Sequence, residues 1–287
     1  MRIPRFLIAA AAFLSLAGWA VAQPHAELVM GFGGYIPSWK DAPYTHAYAP
    51  PFLYGTPAVT SGLQTLSLSA KSISGGSVGA AVVFGRLGVS LTYLAFSPDV
   101  TGTTTSDAVS ISYTSYPPPS YTPTPVTASQ AIPMADPSGE LHERTISLNG
   151  FYRVTLPSWF SLDLSAGLTW FSIDGEIGTL DYWKFWLGGH SVLFSQQYAL
   201  IMSIETLNRI GGNLGATLNV HIGTNAAVWI EARYHLAAAG EASLSFQPIE
   251  DTTALAEFDP ETDIIPAGKL LINPSFLRLG AGIRILF

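Results

Sequence analysis

Six charged side chains lie in four segments of this chain in which apolar residues recur at every second position, and the charges occupy the positions between them. They are Arg153, Asp163, Glu231, Arg233, Arg278 and Arg284. If the segments are strands, alternate positions share a face, so the charges project together to one side of a sheet. Charges of both signs on an enclosed face must pair or be hydrated. We therefore expect Glu231 to contact Arg278 or Arg284 and Asp163 to join the same network. The alternative use of such a set is a path for protons or ions.

Catalytic chemistry needs a nucleophile close to a base. His190 and Ser191 are adjacent, and Asp181 lies in the same segment. His235 lies on the same face of its strand as Glu231. No G-x-S-x-G nucleophile elbow accompanies them, and the six histidines lack the close spacing of metal ligands. We expect no catalytic residue, no metal site and no cofactor.

The overall composition points away from an ordinary water-exposed surface. Hydrophobic residues make up 48% of the 287 residues, whereas only 11% are charged and the net charge is -7. Globular domains usually carry about 25% charged residues. Because no basic stretch could neutralise phosphates, nucleic acid is not an expected partner.

The first residues resemble an export signal. Arg2 and Arg5 precede an apolar run over residues 6–20, and the small-residue pattern Ala20-Val21-Ala22 follows. This order is typical of a secretory signal peptide, although a signal anchor is the alternative. We predict cleavage after Ala22, so that residues 1–22 are the signal peptide and residues 23–287 the mature domain.

Alternating apolar and polar residues predict about eight strands in the mature chain. They cover residues 28–36, about 71–84, 87–93, about 141–155, 160–171, about 213–222, 226–236 and 275–287. Very short turns alternate with long connections, which we expect to be extracellular loops at about 37–70, 97–140, 172–211 and 237–272. This asymmetry is typical of an all-β, transmembrane, antiparallel up-and-down β-barrel. Residues 172–211 are unusually apolar and could add two strands, making ten.

Aromatic residues on the apolar faces are expected at two levels. Phe84, Phe160 and Phe287 would lie at the end with the short turns, and Tyr93, Trp170 and Tyr234 near the other end. Two such levels are the aromatic girdles of a membrane-facing barrel. The alternative is a soluble sandwich or a lipocalin-like cup with its apolar faces turned inward.

Three segments carry a resemblance to known proteins. G-F-G-G-Y in the first strand, E-A-R-Y-H at residues 231–235 and the closing L-R-L-G-A-G-I-R-I-L-F resemble the small bacterial outer-membrane β-barrels of the OmpA and opacity-protein kind. The resemblance implies outer-membrane lipid and lipopolysaccharide as surroundings. It also implies that Phe287 is the assembly signal through which the closing strand meets the barrel assembly machinery. The peptidoglycan-binding domain of OmpA is not expected after this strand.

An eight-stranded barrel has an interior just wide enough for side chains, so we do not expect a general diffusion pore. We expect a structural or surface-interaction role without catalysis, in which the lumenal charges form a structural network. The aromatic, proline-rich loops could bind an extracellular ligand or merely pack over the barrel mouth. A narrow channel for small or apolar molecules and a lipid A-modifying enzyme are the alternatives.

Overall fold

The structure, a computed structural model, describes residues 24–47, 59–61, 63–106, 109–115, 121–130, 136–156, 159–188, 191–248 and 268–287. The predicted signal peptide lies outside these residues. Within them, no helix is long and apolar enough to cross a membrane.

The regular elements of the described ranges are strands. They are β1 (His25–Pro37), β2 (Ala42–Ala47), β3 (Val59–Ser61), β4 (Leu63–Ala70), β5 (Ile73–Phe84), β6 (Leu87–Phe96), β7 (Asp99–Ser106), β8 (Val109–Ser115), β9 (Thr124–Gln130), β10 (Ser138–Thr155), β11 (Phe160–Gly188), β12 (Ser191–Ile222), β13 (Ala226–Leu236), β14 (Gly240–Pro248), β15 (Gly268–Ile272) and β16 (Phe276–Leu286).

Eight of these strands close into an antiparallel ring in the order β1-β5-β6-β10-β11-β12-β13-β16. The ring closes where β16 pairs with β1, for example at Met30 opposite Ile283. The predicted all-β up-and-down barrel of about eight strands is therefore confirmed, and the ten-stranded alternative is wrong. The expected resemblance to small outer-membrane barrels is confirmed at the level of this architecture.

Short turns join consecutive barrel strands at one end of the ring. Gly85 and Gly223 lie in two of these turns with φ of 64° and 73°, the left-handed region that glycine adopts without steric cost. We call this the turn end of the barrel. The other connections leave from the opposite end.

At that opposite end, many of the described residues that were expected to form irregular loops are strand. Residues 172–188 and 191–211 are strand, because β11 and β12 continue upward as an antiparallel pair. Residues 198–207 belong to β12 and continue this barrel strand upward. Elsewhere β2 and β4 fall within 37–70, β7 within 97–140, and β14 and β15 within 237–272.

These strands build a second tier on top of the barrel, in the order β2-β4-β7-β10-β11-β12-β14-β15. At its two ends β2 and β15 approach each other, and nearby the Trp39 indole Nε1 donates to the Leu271 carbonyl at 3.0 Å. A separate sheet of three strands contains β8 between β3 and β9. Residues 109–115, which fall within the loop expected at 97–140, therefore form a strand that pairs with β3 and β9.

The two tiers have opposite polarity, as β10 shows most simply. In the barrel, Ile146 and Leu148 face outward, whereas Ser147 and Asn149 are buried inside. In the second tier the same strand turns His142 outward and Leu141 inward.

The reversal recurs on the neighbouring long strands, where the second tier encloses an apolar core. Its buried members include Trp39, Leu66, Leu68, Val100, Leu141, Ile173, Ile177, Met202, Ile204, Leu244, Leu270 and Ile272. The barrel has an apolar exterior and a polar interior, as a membrane-spanning barrel requires. The second tier has the arrangement expected of a domain in water.

Candidate functional site

The charged residues expected in the lumen all lie on strand positions whose side chains point into the barrel. Arg153, Asp163, Arg233, Arg278 and Arg284 are buried, and the Glu231 side chain is only 8% exposed. Alternation along β10, β11, β13 and β16 directs them inward, because the neighbouring positions carry the apolar residues of the outer surface. Their ion pairs form two separate clusters.

The lower cluster, near the turn end, is built around Arg153. Its Nε donates to Asp163 Oδ1 at 2.7 Å, and its Nη1 donates to Glu27 Oε1 at 2.7 Å. Arg284 Nη1 completes the ring by donating to Asp163 Oδ2 at 2.7 Å, and it lies 3.0 Å from Glu27 Oε2. Two arginines and two carboxylates thus neutralise each other inside the barrel.

Strand register explains how this cluster assembles. Arg153 and Asp163 are direct neighbours on β10 and β11, whereas Glu27 and Arg284 come from β1 and β16. The ion pairs therefore cross the lumen and tie together strands that share no backbone hydrogen bonds.

The upper cluster is centred on Glu231. Its Oε1 accepts from Arg278 Nη1 at 2.7 Å, and its Oε2 accepts from Arg233 Nη2 at 2.9 Å and from Thr217 Oγ1 at 3.0 Å. Arg233 also donates to Asn213 Oδ1 at 2.7 Å, and Arg278 donates to the Ser77 hydroxyl. Each acceptor of this carboxylate is occupied by an inward-facing donor.

The sequence-based expectation for these groups needs one correction. Of the two partners considered for Glu231, the structure brings Arg278 to it, while Arg284 lies in the lower cluster. Asp163 does not join Glu231, because the two carboxylates belong to different levels of the lumen. Spacing along one strand predicts a shared face, but the height of each residue depends on strand stagger around the closed ring.

Glu27 is the functional residue that the sequence analysis missed. It is 2% exposed and contacts both arginines of the lower cluster. We predicted the first strand from Leu28, whereas β1 begins at His25. Extending the alternation back from Val29 by two residues would have placed Glu27 in the lumen, so the signal was present.

An aromatic layer closes the lumen above the upper cluster. The Tyr35 and Phe96 rings stack with centroids 4.2 Å apart, and His235 stacks on Phe276 at 4.4 Å. Phe171 meets both His235 and Phe276 edge-on. This layer separates the charged lumen from the apolar core of the second tier.

Glu143 is a buried acidic residue near the aromatic layer that belongs to neither ion cluster. Its side chain points inward from β10 between positions 142 and 144, both exposed, and its Oε1 has no hydrogen-bond partner among the described residues. Burial raises the pKa of the Glu143 carboxyl well above the usual 4.5, because the charged form loses its hydration.

The expected interface aromatics lie on the outer surface. Phe84, Tyr93, Trp170, Tyr234 and Phe287 are exposed, and Phe160 is half-buried. Tyr93 and Trp170 flank the same residue, Ile146, on the two neighbours of β10, so they share one level. Their contact with a membrane interface stays a prediction.

Of the residues considered for catalysis, His235 is the one whose side chain the structure describes, together with its neighbour Glu231. Residue 190 lies outside the described part of the chain, as do the side chains at 181 and 191. His235 does not bond to Glu231; its Nδ1 lies 3.4 Å from Thr169 Oγ1. Among the described residues, no group of three or more histidine, aspartate or glutamate side chains could hold a metal ion.

Comparisons with known proteins give structural similarity alone. No protein-family model matches the chain, and no curated protein matches it. The solved structures to which it is similar include the outer membrane protein OprG of Pseudomonas aeruginosa, at 11% identity over 92% of this chain and 95% of that chain, with a TM-score of 0.42.

Two further structures are similar to a comparable degree. A major outer membrane protein of Thermus thermophilus is 11% identical over 93% of this chain and all of that chain (100%), with a TM-score of 0.43. Ail, the attachment invasion locus protein of Yersinia pestis, solved with a heparin analogue, is 11% identical over 90% and 98% of the two chains, with a TM-score of 0.32.

Proposed function

We propose that this protein is an integral β-barrel of the bacterial outer membrane with a structural or surface-interaction role and no catalytic activity. The observation that carries the proposal is the reversal of polarity between the barrel and its second tier. An apolar outer band suits lipid and the polar exterior of the second tier suits water, so the membrane boundary falls between them. Outer-membrane barrels keep short turns in the periplasm, which assigns the second tier to the cell surface.

The filled interior favours a structural role over transport. From the turn end upward, the lumen holds the lower cluster, the upper cluster, the aromatic layer and finally the apolar core. The cavities between the two clusters measure only about 40 and 30 Å³. Because the clustered charges are bonded to one another, they are held as a structural plug.

The polar outer face of the second tier is the part of the molecule best suited to surface interaction. Its exposed or half-buried side chains include Thr45, Thr65, Ser67, Thr103, Thr105, Glu140, His142, Arg144, Glu176, Glu205, Glu241 and Lys269. Hydroxyl groups and charges of both signs dominate this face. Such a surface suits polar partners such as glycans, lipopolysaccharide head groups or other proteins more than an apolar ligand.

Conductance of the purified protein in planar bilayers tests the proposal. We expect no stepwise current from the closed barrel under conditions in which a general porin inserts and conducts. Outer-membrane fractionation and heat-modifiable migration on gels test the location in the same preparation. Stepwise openings would favour the narrow-channel alternative, and altered lipid A in mass spectra of expressing cells would favour the enzyme.

A further inference from the structure

Between the two ion clusters the lumen encloses a small polar cavity. Its volume is about 30 Å³, and its polar lining includes Thr92, Thr217, Trp229, Glu231, Arg278 and Arg284. A second cavity of about 40 Å³ adjoins it and shares several of these residues. Since about 10–15 Å³ suffices for one buried water, there is room for one small occupant.

Three residues that line this cavity carry a buried N–H group without a partner among the described residues. These groups are Trp229 Nε1, Arg278 Nε and Arg284 Nε. The carboxylate of Glu231, in contrast, already accepts from Arg278, Arg233 and Thr217. Every unpartnered buried polar atom of the described lining residues is thus a donor, and an unmade buried hydrogen bond is costly.

The charge balance of the lumen points the same way. Among the described residues, the two clusters contain four arginines and three carboxylates, namely Arg153, Arg233, Arg278, Arg284, Glu27, Asp163 and Glu231. One positive charge is left without a counter-charge. A buried unbalanced charge is strongly unfavourable, so an anion in the lumen would stabilise the folded barrel.

The local packing holds Trp229 in place beside the cavity. A Cβ atom at Gly31 or Gly282 would collide with the indole ring, so these glycines make the space that the ring fills. Arg278 lies over the same ring, with its Cζ 5.4 Å from the centroid. The indole and one of the two arginines are therefore positioned together.

We propose that this cavity binds a small monovalent anion of the halide class, with chloride as the abundant member. A halide accepts hydrogen bonds from several donors and brings none of its own. It therefore matches a site in which the unpartnered buried polar atoms of the described lining residues are all N–H donors. The bound anion would also supply the missing negative charge. This site goes beyond the proposed function and does not depend on it.

Halide replacement in the unmodified protein is the first test. We expect an anomalous difference peak beside Trp229, Arg278 and Arg284 in crystals grown with sodium bromide. The melting temperature of the detergent-solubilised barrel should rise and saturate with chloride or bromide, because a ligand that binds the folded state stabilises it. Sodium gluconate at equal ionic strength should give no such rise.

Trp229→Phe tests the donor directly, because phenylalanine keeps an aromatic ring at this position but lacks the N–H. We expect this variant to lose most of the halide-dependent rise in melting temperature. Trp159→Phe is the matched control, since Trp159 is exposed on the outer surface, and it should keep the full rise.

Three results would overturn the proposal. One is density for water without an anomalous signal, and another is equal melting temperatures in chloride and gluconate. The third is a bromide peak that forms only at molar bromide while the melting temperature stays flat, which would mark binding at crystal concentration only.

Discussion

Arg153 illustrates how individual residues hold this barrel together. Its guanidinium bridges Glu27 and Asp163, and Arg284 contacts the same two carboxylates from β16. Removing one partner of a buried ion pair leaves an uncompensated charge, which usually costs more than the pair contributes. The four residues therefore depend on one another.

Asp163→Asn should strongly destabilise the barrel. The change removes the negative charge that faces both arginines, and we expect a loss of about 3–5 kcal/mol in the free energy of unfolding. Urea titration of protein folded into lipid vesicles measures this loss.

Asp174→Asn is the control for that experiment. Asp174 lies on the outside of the same strand, 3.7 Å from a half-exposed Arg144, and such pairs contribute about 0–1 kcal/mol. Equal losses for the two variants would contradict the assignment of the lower cluster as a structural plug.

Glu143→Gln should remove a pH dependence of stability. Because burial raises the pKa of Glu143 above 4.5, the folded state keeps this proton while the unfolded chain has lost it. The native protein is therefore disfavoured progressively as pH rises through that window, and the effect vanishes when both states are protonated at low pH.

Thermal melting across pH measures this difference. We expect the glutamine variant to melt several degrees higher than the native protein at about pH 8 and at nearly the same temperature at about pH 4. Glu140→Gln, at an exposed position of the same strand, should follow the native curve. A constant offset between Glu143→Gln and the native protein at every pH would contradict a buried, protonated Glu143.

At the scale of elements, β10, β11 and β12 pass through both tiers. Their apolar residues face outward in the barrel and inward in the second tier. On β11 the outward apolar series ends at Trp170, and the inward apolar series begins at Phe171 and continues with Ile173 and Ile177. The register with β12 also shifts between Ile173 and Gly175. These changes explain why a loop was expected at residues 172–211, with strands only as the alternative, since no single alternating pattern covers them.

Leu214→Arg and Asn208→Arg compare the two surroundings along one strand. Both side chains face outward on β12, but Leu214 lies in the apolar band and Asn208 above it. An arginine facing lipid near the midplane costs about 2–4 kcal/mol, whereas one in water costs little. Unfolding titrations in vesicles should show the loss for Leu214→Arg alone, and equal stability of both variants would contradict the proposed membrane boundary.

At the scale of the whole molecule, closure of the ring depends on the pairing of β1 with β16. This pairing runs from Glu27 opposite Leu286 to Pro37 opposite Phe276, and the backbone N–H of Phe287 donates to the Ala26 carbonyl at 2.9 Å. The Phe287 ring itself is 74% exposed. Its side chain is therefore available to lipid or to another protein, while its backbone extends the closing pair.

Deletion of Phe287 should impair assembly in cells more than it impairs the finished fold. We expect less heat-modifiable protein in the outer-membrane fraction, because the resemblance to outer-membrane barrels implies that this residue is the assembly signal. Protein refolded in detergent should still give the compact form. An unchanged yield in the outer membrane after the deletion would contradict this role.

The sequence by itself determined the strand pairs joined by short turns and the division of each barrel strand into an apolar face and a polar or charged face. These follow from alternation within single strands, a local property that is visible in residues such as Ile230, Glu231 and Ala232. Glu27 could have been predicted in the same way. It was missed because the predicted first strand began after it.

Only the tertiary structure decided which charges meet, how the lumen is closed and where the polarity reverses. Arg284 reaches Asp163 rather than Glu231, because the stagger of eight strands around a ring sets the heights of side chains that are far apart in sequence. The second tier was equally out of reach, since its apolar residues face a core that exists only when eight separate segments come together. Alternation specifies the two faces of a strand, and closure of the sheet decides which face points outward and which lines the interior.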